Sequence, residues 1–277
     1  MRRSVLRPLA ALILALWLVM PLLSLMIWSV ARGWRFPALL PPELSLAAWH
    51  YAFSPVSGVL GSLGLTLFIA VATTVLALAI SLPAGRALGQ YRFAGRTLVL
   101  LLVLAPAILP GIAVALGLQG LFLRLGLTGT VAGVVLAHLI PVLPYTTLIM
   151  TAFFAEFDPE HEAQARCLGA RPRQVFVYVT LPAMLPALAT GAVLGFLVSW
   201  SQYLLTLGIG GGKVQTLPLV LFTFATSGRN DLTGAVAIIY VLPAMLVLGL
   251  TIGLSSRWWQ GYRGTGLVRP LVFGNHR

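Results

Sequence analysis

Long runs of apolar residues dominate the sequence, and several reach about 20 residues, the length that an α-helix needs to cross a hydrocarbon core. Six such runs can be placed, at 9–30, 59–82, 97–118, 130–154, 181–207 and 232–256. All 6 acidic and all 18 basic residues lie outside them, and a charge buried at mid-bilayer costs roughly 2.5–3.5 kcal/mol. The pattern predicts an all-α integral membrane protein with six transmembrane helices.

The net charge of +12 is spread between the apolar runs and forms no single cluster. The distribution therefore indicates a lipid bilayer as the neighbour of the basic residues, and no nucleic acid. On this segmentation 13 of the 18 basic residues fall on one side: Arg2, Arg3, Arg7, Arg86, Arg92, Arg96, Arg166, Arg171, Arg173, Arg257, Arg263, Arg269 and Arg277. Because cytoplasmic loops carry an excess of Lys and Arg, this asymmetry predicts that both termini are cytoplasmic.

Three regions follow from this topology. Residues 1–58 form a transmembrane helix and an external loop, 59–256 a five-helix core with a cytoplasmic loop at 155–180, and 257–277 a basic cytoplasmic tail. The first apolar run also resembles a secretory signal peptide. At about 21 residues it exceeds the roughly 7–15 of a signal h-region, which favours a retained helix.

The sequence lacks the residues expected of an enzyme and those expected of a secondary transporter. The glycine-rich segment 210–213 has Val214 where a phosphate-binding loop needs Ser or Thr, and His138 is the only imidazole within a predicted span. A membrane-embedded enzyme needs a nucleophile or metal cluster, and a secondary transporter usually carries intramembrane acids. Both stay as alternatives, and we predict no catalytic residue and no metal site.

The loop at 155–180 carries a helix-turn-helix pattern. Asp158 is a favourable N-cap residue, Glu162 and Arg166 are i,i+4 partners, and Gly169 can end the helix in a left-handed conformation. A second helix is then expected to lead into the fifth span at Leu181. The simplest interpretation of such a loop is a solvated connector.

The spacing within this loop is more specific than a connector requires. Gly169 and Ala170, followed by Val179, Leu181 and Pro182, resemble the signature E-A-A-x-x-x-G with its later x-L-P in type I permeases of binding-protein-dependent ATP-binding-cassette importers. Ala165 fits this signature, but Ala163 occupies the position of the family Glu, and Glu162 lies one residue earlier. Segments 104–111, 196–203, 210–212 and 216–218 look similar to the polyamine, ferric-ion, thiamine and phosphonate importer permeases, and they do not choose among these solutes.

The resemblance implies a division of labour in a bacterial cytoplasmic membrane. A cytoplasmic ATPase dimer would bind ATP and magnesium, so that this chain needs no cofactor of its own. An external solute-binding protein would deliver the solute, and a second permease subunit, often a different polypeptide, would complete the path. The loop at 155–180 would couple the chain to the ATPase.

Three groups of residues are candidates for lining the path. The first is the polar run at the end of the fifth span: Ser199, Trp200, Ser201, Gln202 and Tyr203. The second is Pro106 and Pro110, because each proline frees a backbone carbonyl and bends its helix. The third is His138. Each has a structural alternative: helix–helix hydrogen bonding, kinks satisfied by neighbouring helices, or a histidine bonded within the bundle.

Overall fold

The computed structural model describes residues 2–35 and 37–264, and these are mostly helical. The helices are α1 (Arg2–Val30), α2 (Ala47–Ala52), α3 (Val59–Gln90), α4 (Arg96–Ile108), α5 (Gly111–Arg124), α6 (Val131–Glu156), α7 (Glu160–Cys167), α8 (Pro172–Val175), α9 (Leu181–Trp200), α10 (Leu204–Gly210), α11 (Leu217–Thr226) and α12 (Asn230–Gly264). A two-residue antiparallel pair, β1 (Ala31–Arg32) and β2 (Glu43–Leu44), closes the loop after α1. Residues 265–277 of the predicted tail lie outside the described residues.

Within the described residues, four helical stretches are long and apolar enough to cross a membrane. They are α3, α6, the continuous stretch Pro172–Trp200, and Asn230–Thr251 of α12. The broken pair α4 and α5 would make a fifth, and the first predicted span lies within α1. Each predicted run therefore falls mostly on helix, which satisfies its own backbone groups in a bilayer, and two of the runs are interrupted.

The third predicted span, 97–118, is not one straight helix. It divides into α4 and α5, which are bent by 104° relative to each other. Leu109 is extended at φ −73° and ψ 141°, as expected for a residue that precedes a proline. Pro110 has no N–H to continue α4. Pro106, by contrast, lies inside α4 without breaking it.

The fifth predicted span, 181–207, differs from the structure at both ends. A π turn at Phe176–Thr180 joins α8 to α9, so the helix begins at Pro172, well before the predicted start. It ends at Trp200, and residues 201–203 are not helical before α10 begins. The apolar helix α11 was not predicted at all.

The centre of the molecule is the contact of α3 with α6 and α9. The approach of α3 to α6 depends on Gly85, because a Cβ there would meet Met150, whose backbone carbon would lie 2.7 Å away. Beyond this contact α10 packs against α5 and α6, and α12 packs against α1. Most large side chains on the outside of α4 and α12 are apolar and exposed, as expected for surfaces that face lipid or another membrane subunit.

Candidate functional site

Two helix breaks meet at one cavity of about 300 Å³. The break between α4 and α5 contributes Leu109, with Gly111 following at the start of α5, and the break between α9 and α10 contributes Ser201 and Gln202. The remaining lining residues come from α4, α5, α6, α9 and α10: Pro106, Ala107, Val114, Ile140, Pro141, Tyr145, Val198 and Leu205. Non-helical backbone at membrane depth is tolerated where it lines such a cavity.

The cavity lining is uncharged and mostly apolar, with a few polar groups. Its side-chain polar groups are the hydroxyls of Tyr145 and Ser201 and the amide of Gln202. Prolines four residues later remove the helical donors for the carbonyls of Pro106 and Ile140, which are both lining residues. The site can therefore offer hydroxyls, one amide and freed carbonyls to a passing solute, as at the broken helices of transporters.

His138 does not line this cavity. It is 1% exposed, and its Nδ1 lies 3.0 Å from the Ser199 hydroxyl while its Nε2 lies 2.9 Å from the Thr206 hydroxyl. The Thr206 hydroxyl donates to the carbonyl of Gln202 at 3.1 Å, so it accepts from Nε2, and Ser199 donates to Nδ1. His138 thus links α6 to α9 and α10 and supports the backbone of the break that forms the cavity.

The other candidates for the path are divided between the cavity and the core. Trp200 is 2% exposed and stacks between Phe196 and Tyr240, with ring centroids at 5.5 and 5.4 Å. Tyr203 packs on Phe222 at 4.7 Å. Pro110 stands in the α4–α5 break between two lining residues. The structure brings together Pro106, Ser201 and Gln202 at the cavity, and it places Ser199, Trp200 and His138 in the packed interior.

The loop at 155–180 has the predicted helix and glycine turn. Asp158 Oδ1 accepts a hydrogen bond from the N–H of Glu160 at 2.9 Å, and α7 begins there. Gly169 has φ +86° and is exposed, with no atom within 4 Å of the place where a Cβ would stand. Ala163 is exposed on α7, and Ala165 is half-buried. Beyond the turn, Ala170 and Leu181 are half-buried and Pro182 is exposed.

Glu162 forms more bonds than its expected pairing with Arg166. Its Oε2 accepts from Arg166 at 2.9 Å and from Arg86, at the end of α3, at 2.6 Å. Its Oε1 accepts from the Thr180 hydroxyl at 2.7 Å. Burial to 3% exposure would raise the pKa of this carboxyl, but the hydrogen bonds from Thr180 and Arg86 and the two positive charges outweigh it, so its pKa lies below the ordinary value.

Sequence reasoning missed Arg86 and Thr180 as partners of this loop. Arg86 lies 76 residues before Glu162 and was counted only as a cytoplasmic charge. The one available signal for this pairing was that Arg86 lies at the end of a predicted membrane helix, on the same side of the membrane as a loop with several acidic residues. Among the described residues, no group of three or more His, Cys, Asp or Glu side chains is placed to hold a metal ion.

Broken membrane helices around an uncharged cavity, with a short exposed helix on a loop between spans, define a membrane transport subunit. The chain belongs to the family described as the binding-protein-dependent transport system inner membrane component, whose family model matches residues 81–261. It is a permease subunit of an ATP-binding-cassette importer.

Curated relatives cover most of the chain. The trehalose transport system permease protein SugB of Mycobacterium tuberculosis is 29% identical over 211 residues, which are 71% of this chain and 76% of the relative. The molybdenum transport system permease protein ModB of the same species is 32% identical over 65% of this chain and 74% of its own. The putrescine transport system permease protein PotI of Escherichia coli is 27% identical over 84% of each chain.

Solved structures share the fold. A chain of a bacterial transporter that imports the acidic polysaccharide alginate superposes with a TM-score of 0.68 at 20% identity, covering 90% of this chain and 95% of that one. A chain of the MetNI methionine transporter in an inward-facing conformation gives 0.55 at 16% identity, covering 70% and 93%. These relationships favour the importer subunit over the two alternatives, a secondary transporter and an embedded enzyme.

Proposed function

We propose that this subunit carries solute along a path that includes the cavity between the two helix breaks. The observation that carries the proposal is the convergence of these breaks, 109–110 and 201–203, on one uncharged cavity. Pro106, Ser201 and Gln202 would contact the solute, and His138 would hold the second break in place. Ser199 and Trp200 would keep the end of α9 packed, and Tyr203 would brace the break against α11.

The subunit would span a bacterial cytoplasmic membrane six times with both termini inside. In this topology α1, α3, the α4–α5 pair, α6, the helix Pro172–Trp200 and α12 are the spans. The asymmetry of the basic residues supports this orientation. A cysteine placed at position 277 should react with an impermeant reagent only from the cytoplasm, and labelling only from outside would reject the topology.

The chain would hydrolyse no ATP itself. A cytoplasmic ATPase dimer would bind ATP and magnesium and dock on α7 and the Gly169 turn, the exposed parts of the loop that resembles the family signature. An external binding protein would deliver the solute, and a second permease subunit would cover part of the exposed apolar surface. Purified alone, the chain should show no ATPase activity.

The cavity can be tested without knowledge of the solute. In a Cys167→Ser background, a cysteine at Ser201 should react with an impermeant thiol reagent from one side of the membrane. The reactive side should change when Mg-ATP is supplied to the chain with its co-purified ATPase. Ser227→Cys, in the exposed turn after α11, is the control and should not respond to nucleotide. If nucleotide did not change the side from which Ser201→Cys is labelled, the proposal that this cavity is part of the solute path would be rejected.

A further inference from the structure

The helix α7 is attached to the rest of the protein in an unusual way. It has eight residues, and isolated helices shorter than about 12–15 residues are marginal in water. Such a helix normally buries an apolar stripe. Of the residues of α7, all of which the structure describes, only Glu162 is buried. Besides a ring contact between His161 and Phe157 at 6.1 Å, the attachment of α7 therefore depends on a buried carboxylate and not on an apolar stripe.

That carboxylate reaches two distant parts of the chain. Arg86 joins it to the end of α3, and Thr180 joins it to the π turn that leads into α9. Arg86 is itself held, because its Nε donates to Gln90 Oε1 at 3.2 Å and its guanidinium lies 5.7 Å from the centre of the Phe154 ring. The bonds therefore join α7 to α3, to α6 and to the base of α9.

Glu162 cannot also serve as a surface contact. Both of its oxygens are occupied and it is 3% exposed, whereas the family Glu position, Ala163, is exposed and carries no charge. A buried ion pair adds little net stability, but the removal of one partner is strongly unfavourable, and such pairs can fix one geometry over others. A π turn is also frequent at functional sites.

We propose that Glu162 is a positioning residue that ties α7 to the end of α3 and to the π turn through Arg86 and Thr180, so that these elements move as one body. The proposal rests on the proposed docking of the ATPase at α7. Movement of the docked ATPase would then reach α3 and α9 directly through this contact. The carboxylate acts inside the subunit and makes no contact with the ATPase.

Spin labels test the attachment directly in the full-length chain. One label uses the native Cys167, which is exposed on α7, and the other a cysteine at Tyr91, which caps α3. We expect one narrow distance in the parent chain and a broad distribution in Glu162→Gln and in Arg86→Met. Asp231→Asn, which removes the carboxylate of an exposed ion pair outside the loop, should leave the distribution narrow.

ATPase pull-down on the same variants gives the functional readout. We expect each single variant to pull down about fivefold less ATPase than the parent chain, because α7 would be in its docking geometry for only part of the time. The double variant should be no worse than the poorer single variant, since Glu162→Gln already removes the ion pair that Arg86→Met breaks. Additive losses would overturn the proposal.

The two measurements separate the two ideas. A narrow distance in Glu162→Gln would overturn the positioning role, and if ATPase binding were still lost, Glu162 would be a direct contact. A broad distance distribution in Glu162→Gln would support the positioning role. If the parent chain also bound no ATPase, docking at α7 would be rejected while the positioning role would stand.

Discussion

Replacement of Gly169 by valine tests whether the geometry of the turn is needed for ATPase binding, or whether the loop only connects two spans. At φ +86° the residue is left-handed, and a Cβ would meet no atom within 4 Å, so valine brings backbone strain without a clash. The strain is about 1–2 kcal/mol. If this strain makes the docking geometry of the turn less favourable by the same free energy, the Kd for the ATPase should rise about fivefold to thirtyfold.

The assay is binding of the purified, co-purifying ATPase to the chain in nanodiscs. Gly228→Val is the matched control, because Gly228 is also left-handed at φ +71° with an open Cβ position but lies between α11 and α12. It should leave the Kd unchanged. Gly169→Asn should fall between glycine and valine, since Asn tolerates this conformation better. A wild-type Kd for Gly169→Val, or an equal loss for Gly228→Val, would refute the reasoning.

Four further outcomes are expected. His138→Leu leaves two buried hydroxyls without their partner and should lower the free energy of unfolding by about 1–3 kcal/mol, which His138→Gln should partly restore in thermal denaturation. Gly85→Ala should also lower the free energy of unfolding by about 1–3 kcal/mol, because its Cβ would meet the backbone of α6. Gly61→Ala, on the same helix with an open Cβ position, should not lower it. Ala163→Glu should change unfolding by less than about 0.5 kcal/mol because the site is exposed, and it should keep ATPase binding in the pull-down. The lowered pKa of Glu162 means that its contribution to stability is present above the unfolded value near 4.5 and is lost as pH falls through the lower folded value. A Cys167–Tyr91→Cys distance that stays narrow at a pH acidic enough to protonate Glu162 would contradict this.

The positions of the long apolar helices could be predicted because charge is excluded from the bilayer, and this signal is local. The breaks in those spans could not be predicted from proline alone. Pro110 ends a helix, whereas Pro106, Pro141 and Pro144 lie inside helices that continue. Neighbouring helices can satisfy freed carbonyls, and sequence does not show which neighbours are present.

The interior contacts of the loop and the cavity were hidden for a similar reason. Glu162 was predicted to pair with Arg166, because an i,i+4 spacing is visible in the sequence. Its bonds to Arg86 and Thr180 join residues 76 and 18 positions away, which only the packed structure brings together. In the same way, the roles of His138 and Trp200 followed from partners on other helices.

The most direct test of the account is cross-linking of the native Cys167 to the ATPase in intact membranes. Cys167 is exposed on α7 and is the only cysteine in the chain. With a short thiol–amine cross-linker applied from the cytoplasmic side, we predict one adduct of this chain with an ATP-binding-cassette ATPase subunit, absent in Cys167→Ser. Reaction of Cys167 only from outside the membrane, or ATP-driven uptake without any such adduct, would contradict the assignment of α7 as the helix that couples ATP hydrolysis to transport.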